Sequence, residues 1–347
     1  MYSTIQAVCG YNLAVIETET RQKFAFLTIG TTKMPLHPQS AAFVSMLAEQ
    51  NPPSWEEIGP QAGREAFENL DALFGDKPGL DSVDDYWITG DRLEPASPGQ
   101  ADAAAIKIRV YRPSSEATPV IVYFHGGGWV LGSIESHDAL CRELAHRTGR
   151  AVVSVQYRLS PEAKYPQPLD DCVEATLAVA KFSQRLGTTD RICLAGDSAG
   201  GNLAAATALR LRDENAAVKA DALVLIYPVV QPNFETVSYT EFASDHGLTR
   251  ETMKWFWQQY LPKDADATYA TLLDADFGGL PRTLIQTAEF DVLRDEGREL
   301  GDKLQAAGVS VQNTEYAGML HGFVHFRGFF DPASEAIEEI ASFLRDE

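Results

Sequence analysis

Short apolar runs alternate with stretches of helical periodicity along most of this chain. Five largely apolar runs predict buried strands, at residues 120–124, 151–157, 192–195, 222–227 and 283–288. Amphipathic patterns between and around them predict helices, at residues 136–147, 169–186, 202–212 and 294–307. Strands that alternate with helices predict an α/β fold, with a mostly parallel central sheet flanked by helices on both faces.

The pattern changes toward both ends of the chain. Residues 34–82 predict short amphipathic helices, separated by segments that contain proline and glycine. Further strands are predicted at residues 84–89, 106–111 and 309–316, and a last helix at residues 335–344. Residues 93–100 predict a loop between two of these strands. Residues 1–33 have neither a basic start nor a sustained apolar segment, so we treat them as an N-terminal extension of uncertain role rather than a secretory signal.

The segment GDSAGG, at residues 196–201, lies where an apolar run gives way to a helical stretch. It has the form Gly-x-Ser-x-Gly, in which a serine on a sharp strand-to-helix turn needs small neighbours and an accessible oxygen. A helix N-terminus also favours negative charge nearby, because its first N–H groups are unpaired. A glycine-rich turn without chemistry is the alternative. The order of strand, turn and helix favours Ser198 as a nucleophile.

A second glycine-rich segment, HGGGW at residues 125–129, follows the predicted strand at 120–124. Glycines let backbone N–H groups turn inward without a Cβ in the way. Preorganised N–H donors stabilise the oxyanion of acyl transfer by about 3–4 kcal/mol each. A phosphate-binding loop is the alternative, but it would have the pattern Gly-x-Gly-x-x-Gly or end in Gly-Lys-Ser/Thr, and neither occurs. We therefore predict that this loop forms part of an oxyanion hole.

Chain order restricts the choice of the base among the 7 histidines. In α/β-hydrolases with this serine motif, the acid and then the base follow the serine along the chain. His321 and His325 are the candidates that satisfy this order. His321 lies in a loop-like segment after a predicted strand, as is common for catalytic groups. His325 alternates with apolar residues and is interpreted as a packed or partly exposed side chain, so His321 is the predicted base.

The candidates for the acid follow the predicted strand at 283–288 along the chain. Asp291 lies just past the end of that strand, where α/β proteins place groups that handle ligands. Asp295 and Asp302 lie on the following helix and are interpreted as a solvated charged face. Glu289 remains an alternative acid because it is two residues from Asp291, which is preferred.

Four ordered motifs resemble those of the bacterial hormone-sensitive-lipase-like carboxylesterases. They are HGGGW at 125–129, GDSAGGN at 196–202, DVLRDEG at 291–297 and HGF at 321–323, and YRLSPE at 157–162 is a further similar stretch. The resemblance extends from about residue 34 to the C-terminus. It implies an α/β-hydrolase fold with a helical cap, and it implies Ser198, Asp291 and His321 as the triad.

The resemblance also implies further site residues and one departure. It assigns the oxyanion N–H groups to Gly127, Gly128 and Ala199. Val292 departs from the family, which usually has proline there, so the loop that carries Asp291 is expected to be looser.

Resemblance and periodicity together divide the chain. Residues 34–82 are predicted to form N-terminal cap helices and residues 83–347 the α/β-hydrolase core. An aromatic-rich stretch near residues 229–262 is predicted to be a cap insertion over the substrate pocket, although packing on the core is the alternative for each aromatic residue. Trp129, beside the glycine loop, is predicted to line the pocket and bind substrate.

Charge and cysteine content narrow the range of partners. A net charge of −20 provides no basic surface for nucleic acid and disfavours anionic membranes. The 4 cysteines show no paired spacing, which favours reduced thiols. No cofactor motif or metal-binding histidine pattern is present in the sequence. We expect a cytoplasmic protein that needs no metal or cofactor, does not enter membranes and binds a small-molecule ester, with a homodimer left open.

These residues predict a serine carboxylesterase for short- to medium-chain neutral esters. An amidase, a lactonase or an arylformamidase would use the same triad on another acyl donor, and the pocket rather than the fold separates these activities. A non-catalytic ligand-binding relative is a third hypothesis. The plant gibberellin receptors resemble this family but lack the catalytic histidine, so the presence of His321 counts against it.

Overall fold

A computed structural model of the protein describes residues 35–96 and 105–345, and the predicted extension at 1–33 lies outside them. The strands in the described residues are β1 (Ser82–Thr89), β2 (Arg92–Pro95), β3 (Ile106–Arg112), β4 (Thr118–Phe124), β5 (Ala151–Gln156), β6 (Thr188–Asp197), β7 (Ala222–Ile226), β8 (Arg282–Phe290) and β9 (Val311–Leu320). They form one sheet in the order β2-β1-β3-β5-β4-β6-β7-β8-β9.

Strand direction follows from the alternation of strands and helices. From β5 through β4, β6, β7 and β8 to β9 the neighbours run parallel, whereas β2, β1 and β3 add an antiparallel edge. Parallel neighbours need long crossover connections, which place helices on both faces of the sheet. β7 is accordingly buried at every residue, and β4 and β6 over most of their length. The predicted mostly parallel sheet is confirmed.

The loop predicted at 93–100 is wrong in its first part. Residues Arg92–Pro95 form β2, which pairs with β1 and places Leu93 opposite Ile88. Leu93 is buried in this position. Pro95 argued for a loop in the sequence, but a proline at the end of an edge strand removes no hydrogen bond that the ladder needs.

The helices of the described residues are α1 (Pro38–Gln50), α2 (Trp55–Glu68), α3 (Asp71–Phe74), α4 (Asp138–Thr148), α5 (Gln167–Lys181), α6 (Ser183–Leu186), α7 (Ala199–Asp213), α8 (Val237–Glu241), α9 (Arg250–Tyr260), α10 (Arg294–Ala306) and α11 (Pro332–Arg345). α7 is buried along most of its length, because its many alanines let it pack closely between the sheet and α5. The helix predicted over 169–186 is divided at Phe182, whose φ of −103° and ψ of 19° are not helical.

Two separate parts of the chain contribute helices on the side of the sheet where the parallel strands end. α1 and α2 come from the N-terminal region, and α9 from the segment between β7 and β8. The Thr252 hydroxyl on α9 donates to the Glu56 carboxylate on α2 at 3.1 Å, which joins the two parts. The N–H of His37, just before α1, donates to the carbonyl of Gly318 on β9 at 3.0 Å. These contacts connect the N-terminal helices to the rest of the molecule.

Candidate active site

The segments that carry the predicted site residues all follow parallel strands. The glycine loop follows β4, Ser198 follows β6, Asp291 follows β8 and His321 follows β9. The carboxyl ends of neighbouring parallel strands meet at one edge of a sheet, which brings these residues together although up to about 200 positions separate them along the chain.

Ser198 occupies the sharp turn between β6 and α7. Its φ of 56° and ψ of −119° lie in a region that residues with a Cβ rarely adopt. Its N–H donates to the Ile226 carbonyl at 2.8 Å and its carbonyl accepts from the Val229 N–H at 3.1 Å, so the residues at and after the end of β7 hold the turn. A Cβ on Gly200 would lie 1.9 Å from the carbonyl oxygen of Phe124. This close approach to β4 explains why the motif needs glycine after the serine.

The three predicted triad side chains form a continuous hydrogen-bonded chain. Nε2 of His321 lies 3.0 Å from Oγ of Ser198, and Nδ1 lies 2.7 Å from Oδ2 of Asp291. The Asp291 carboxylate is buried, whereas 13% of the His321 side chain is exposed. An imidazole between a hydroxyl and a buried carboxylate can accept the hydroxyl proton while the carboxylate orients the ring. The catalytic roles themselves stay a prediction.

The loop that carries Asp291 is held from two directions. Oδ1 of Asp291 accepts the N–H of Leu293 at 3.0 Å, and the Ser238 hydroxyl donates to the Val292 carbonyl at 2.7 Å. Val292, expected to loosen this loop, is therefore buried with its carbonyl paired. The interpretation of Asp295 as a solvated charge is wrong, because its carboxylate accepts the Ser238 N–H at 2.8 Å and connects the loop to α8.

Glu289, the alternative acid, has a different partner. Its Oε2 accepts the N–H of Gly318 at 2.8 Å, and its backbone carbonyl accepts from the Arg294 guanidinium at 3.3 Å. Gly318 lies on β9, three residues before His321. This geometry favours a structural part for Glu289 in positioning the end of β9.

The predicted oxyanion residues line the same cavity as Ser198 or follow it directly along the chain. Gly127 has a φ of 109°, which is available to glycine without strain, and its carbonyl accepts the N–H of Leu131 at 2.8 Å in a tight turn. Gly127 and Gly128 line the same cavity as Ser198 and His321. Ala199 is the first residue of α7, where unpaired N–H groups and the helix dipole favour negative charge. Their assignment as oxyanion donors stays a prediction.

Trp129 does not line the cavity, contrary to the prediction. Its side chain is fully buried, with the ring stacked on Tyr260 at 4.1 Å and packed against Trp257 at 4.7 Å. Both partners lie on α9, whose position is not visible in the local sequence. An indole between two rings removes more apolar surface from water than an indole in an open wall, which favours this packing.

The cavity above Ser198 has a volume of about 460 Å³, within the usual range for small-molecule sites. Phe43 and Leu70 in its lining are buried, whereas Asn51 and Asp245 in its lining are exposed. Most of its lining was not predicted residue by residue. These lining side chains from the N-terminal region and α9 are Phe43, Met46, Leu47, Trp55, Phe67, Leu70, Thr252, Met253 and Phe256. The usable signal was the amphipathic pattern of residues 34–82, which supplies the apolar face.

Comparison with known proteins now decides the family. A family described by the α/β hydrolase fold matches residues 121–325, which is more than half of the chain. The chain belongs to this α/β-hydrolase family. The matched region includes the glycine loop, Ser198, Asp291 and His321. Within the family, the predicted resemblance to hormone-sensitive-lipase-like carboxylesterases is confirmed.

Similar α/β-hydrolases have names that agree on the reaction. Carboxylesterase NlhH of Mycobacterium tuberculosis is 39% identical over 255 residues, which cover 71% of this chain and 79% of that protein. The ethyl acetate hydrolase of Pseudomonas putida is 30% identical over 336 residues, covering 90% and 99% of the two chains. The prediction of an ester-hydrolysing enzyme is confirmed at this general level.

Solved structures of related α/β-hydrolases support the same conclusion. The hyperthermophilic esterase from the archaeon Pyrobaculum calidifontis matches with a TM-score of 0.81 and 39% identity, over 90% of this chain and 98% of that chain. An ester hydrolase from the metagenome of Lake Arreo, in complex with a bipyridine phosphonate derivative, matches with a TM-score of 0.81 and 33% identity, over 89% and 98%. In the part of this chain that the structure describes, no helix has the length and apolar character needed to cross a membrane.

Proposed function

We propose that this protein is a serine carboxylesterase that hydrolyses short- to medium-chain neutral esters through an acyl-enzyme. The observation that carries the proposal is the hydrogen-bonded chain from Ser198 through His321 to Asp291, with Ser198 and His321 in the wall of a largely apolar cavity. A strained serine at a helix N-terminus, an adjacent base and a buried acid form the combination that nucleophilic acyl transfer requires.

The mechanism follows from this arrangement. Neutral His321 accepts the proton of Ser198 as Oγ attacks the ester carbonyl, and Asp291 orients the imidazole and stabilises its cationic form. The N–H groups of Gly127, Gly128 and Ala199 bind the oxyanion of the tetrahedral intermediate. His321 then protonates the departing alcohol, and water, activated by the same imidazole, hydrolyses the acyl-enzyme.

The lining of the cavity supports neutral substrates. Among the described residues that line it, Glu56, Asp197 and Asp245 are acidic and none is lysine or arginine. An anionic acyl or alcohol group would lose its hydration there and meet carboxylates without a cation to pair with. We therefore assign uncharged esters as the substrates.

The size of the cavity supports short to medium chains. Each methylene that fits gains about 0.8 kcal/mol by burial, whereas overpacking a full cavity costs about 1–3 kcal/mol. We expect kcat/KM for p-nitrophenyl esters to be highest for acyl chains of about two to eight carbons and to fall beyond them. Equal or faster hydrolysis of emulsified long-chain triglycerides would contradict this assignment.

The same series tests the charge of the substrate. A mono-ester of a dicarboxylic acid and the neutral ester of matched length should differ in kcat/KM by at least about tenfold, in favour of the neutral one, as the cost of one unpaired charge predicts. Equal rates would contradict the assignment of neutral substrates. Ser198→Ala measured in parallel subtracts hydrolysis that does not depend on the site.

Two alternative functions are separated by the same assay. An amidase, a lactonase or an arylformamidase would use the same triad, and a panel of anilides, lactones and formanilides ranks them against esters by kcat/KM. The names carboxylesterase and ethyl acetate hydrolase among the relatives favour esters. A non-catalytic ligand-binding protein is disfavoured because His321 lies in contact with Ser198.

We also propose a cytoplasmic location for the protein. Cytoplasmic location is supported by Cys141, Cys172 and Cys193, which are buried free thiols among the described residues. Fractionation of the native host, with the enzyme followed by antibody, tests this location. The homodimer left open by the sequence stays a prediction, and light scattering on the purified chain measures it.

A further inference from the structure

Three buried histidines outside the proposed triad lie side by side behind the glycine loop. His125, His137 and His325, here called the histidine cluster, are all at most 3% exposed. The rings of His137 and His325 stack at 4.0 Å, and those of His125 and His137 lie 5.4 Å apart. Buried imidazoles of this kind need internal partners, because unpaired polar groups are costly away from water.

One member of the cluster, His137, contacts the carboxylate next to the nucleophile. Nε2 of His137 lies 3.3 Å from Oδ1 of Asp197, whose side chain is 5% exposed. The same oxygen accepts the Tyr123 hydroxyl at 2.8 Å and the Gly126 N–H at 2.9 Å. Burial alone would favour the neutral acid, but the neighbouring His137 and the hydrogen bond from Tyr123 hold the pKa of Asp197 well below its usual range.

This carboxylate joins the two segments that must cooperate in acyl transfer. Asp197 directly precedes Ser198, and Gly126 directly precedes Gly127 and Gly128. The two segments are so close that a Cβ on Gly126 would lie 2.3 Å from Oδ2 of Asp197. A shift of the carboxylate therefore moves the peptide that leads into the glycine loop.

His137 is itself fixed from the other side of its ring. Its Nδ1 lies 2.9 Å from the Ser136 hydroxyl, whose oxygen accepts the backbone N–H of Ser133 at 2.9 Å. With both ring nitrogens engaged and the ring stacked on His325, the imidazole has little freedom to turn. It can hold a neighbour in place but has no contact with the reacting hydroxyl.

We propose that His137 and Asp197 are positioning residues for the oxyanion hole: the imidazole holds the carboxylate, and the carboxylate holds the Gly126 N–H, so that the next two N–H groups face the tetrahedral oxygen. The inference rests on the serine-esterase mechanism proposed above. Oxyanion stabilisation depends on donors that are already in place, and a displacement of about 1 Å at a reacting geometry can cost about 100-fold in rate. Neither residue transfers a proton in this scheme.

The test compares two substitutions of His137. His137→Phe keeps a ring for the stack but removes the nitrogen that lies 3.3 Å from both the Asp197 carboxylate and the Gly126 N–H. We expect kcat for a short p-nitrophenyl ester to fall about 10- to 100-fold with KM within about twofold. His137→Gln keeps an N–H near the position of Nε2 and should recover most of the activity. His146→Phe, the same substitution at an exposed site on α4, is the matched control and should leave kcat unchanged.

A second readout separates positioning from general damage. A trifluoromethyl ketone that forms a tetrahedral oxyanion on Ser198 should lose affinity in His137→Phe by the same factor as kcat/KM, because both depend on the oxyanion donors. A neutral alcohol product should bind as in the wild type. A rise in KM with unchanged kcat, or wild-type kcat and ketone affinity, would overturn the proposal.

A further variant covers the case in which His137→Phe does not fold. Asp197→Asn keeps an acceptor near Gly126 but makes it neutral, and charge-assisted bonds are about twice as strong as neutral ones. We expect about a tenfold loss in kcat with a matching loss of ketone affinity, and wild-type kinetics would overturn the proposal. If instead the wild type hydrolyses no ester, or Ser198→Ala is as active as the wild type, the proposed function fails and not the positioning.

Discussion

Two aspartate–histidine pairs lie near Ser198, and the same chemical groups have different surroundings in each. In the pair Asp291–His321 the nitrogen and oxygen are 2.7 Å apart and the imidazole is partly exposed, whereas in Asp197–His137 they are 3.3 Å apart and the imidazole is fully buried. The second nitrogen of His321 meets the Ser198 hydroxyl at 3.0 Å. The second nitrogen of His137 meets the Ser136 hydroxyl at 2.9 Å, away from any reacting group.

The difference shows that residue type alone does not decide the work of such a pair. A histidine can take part in proton transfer where its free nitrogen faces a nucleophile and a substrate cavity. Where both nitrogens are bound and water is excluded, as at His137, the proposed role of the same pair is to hold backbone groups in place. Burial lowers the pKa of His125 to about 3 and that of His325 well below its ordinary value, so these neighbours of the buried pair stay neutral at ordinary pH.

The largest expected effect concerns Ser198 and His321, which belongs to the partly exposed pair Asp291–His321. Ser198→Ala and His321→Ala should each reduce kcat by about 10⁶-fold, because the two side chains act as one proton-transfer unit. The double variant should be no less active than either single one, since losses within one unit do not add. Steady-state rates with a short p-nitrophenyl ester measure all three. Substantial activity in Ser198→Ala would contradict the proposed mechanism, and with it the contrast between the two aspartate–histidine pairs.

A smaller effect is expected at Asp291, the acid of the Asp291–His321 pair. Asp291→Asn keeps the shape but favours the wrong imidazole tautomer, so kcat should fall about 10⁴-fold. Glu289→Gln is the matched control, because the amide oxygen can still accept the Gly318 N–H, and we expect a loss below about tenfold. Circular dichroism and thermal melting verify that both variants are folded. A crippled Glu289→Gln beside an active Asp291→Asn would transfer the role of acid to Glu289.

The smallest expected effect concerns stability on the buried side. Burial lowers the pKa of His125 in the folded protein to about 3, whereas its ordinary value is 6.5. Below pH 6.5 the unfolded chain therefore binds a proton that the folded protein does not, and the free energy of unfolding decreases as the pH is lowered. At pH 5 this histidine alone should reduce that free energy by about 2 kcal/mol relative to pH 7. The shift at His325 has the same direction and adds to the loss.

His325→Phe tests this dependence. Phenylalanine suits the site, since His325 stacks on Phe67 at 5.6 Å, and it cannot bind a proton. The urea midpoint should therefore fall less between pH 7 and pH 5 in this variant than in the wild type. His146→Phe, at an exposed site, should keep the wild-type dependence. Equal dependence in all three proteins would show that His325 does not contribute to the acid sensitivity.

Much of the fold and the proposed site could be predicted from local pattern. The strands that lead to Ser198 and Asp291 contain largely apolar runs, because strands of a parallel sheet are buried on both faces. The glycines around Ser198 are visible in the sequence because the turn approaches β4 too closely for a Cβ. Chain order then limited the base to His321 or His325, and position just after predicted strands favoured Asp291 and His321, which lie in contact in the structure.

Other features depend on partners far away along the chain, and local pattern is silent about them. Trp129 was expected in the pocket wall, but α9 supplies Trp257 and Tyr260 as partners and buries it. β2 forms because residues 92–95, which the local sequence predicts partly as a loop, hydrogen-bond to the neighbouring strand β1.

By itself, the sequence determined the class of fold, the family and the candidate triad. Each of these can be predicted from short motifs of neighbouring residues and from the order of those motifs along the chain. Only the tertiary structure decided that His137 meets Asp197 and that Glu289 is bound by the Gly318 N–H instead of by His321. His137 and Asp197 are 60 positions apart, and His321 and Asp291 are 30 apart, yet both pairs are in contact. The role of each histidine follows from what surrounds its second nitrogen, and that environment exists only once distant strands and helices have packed together.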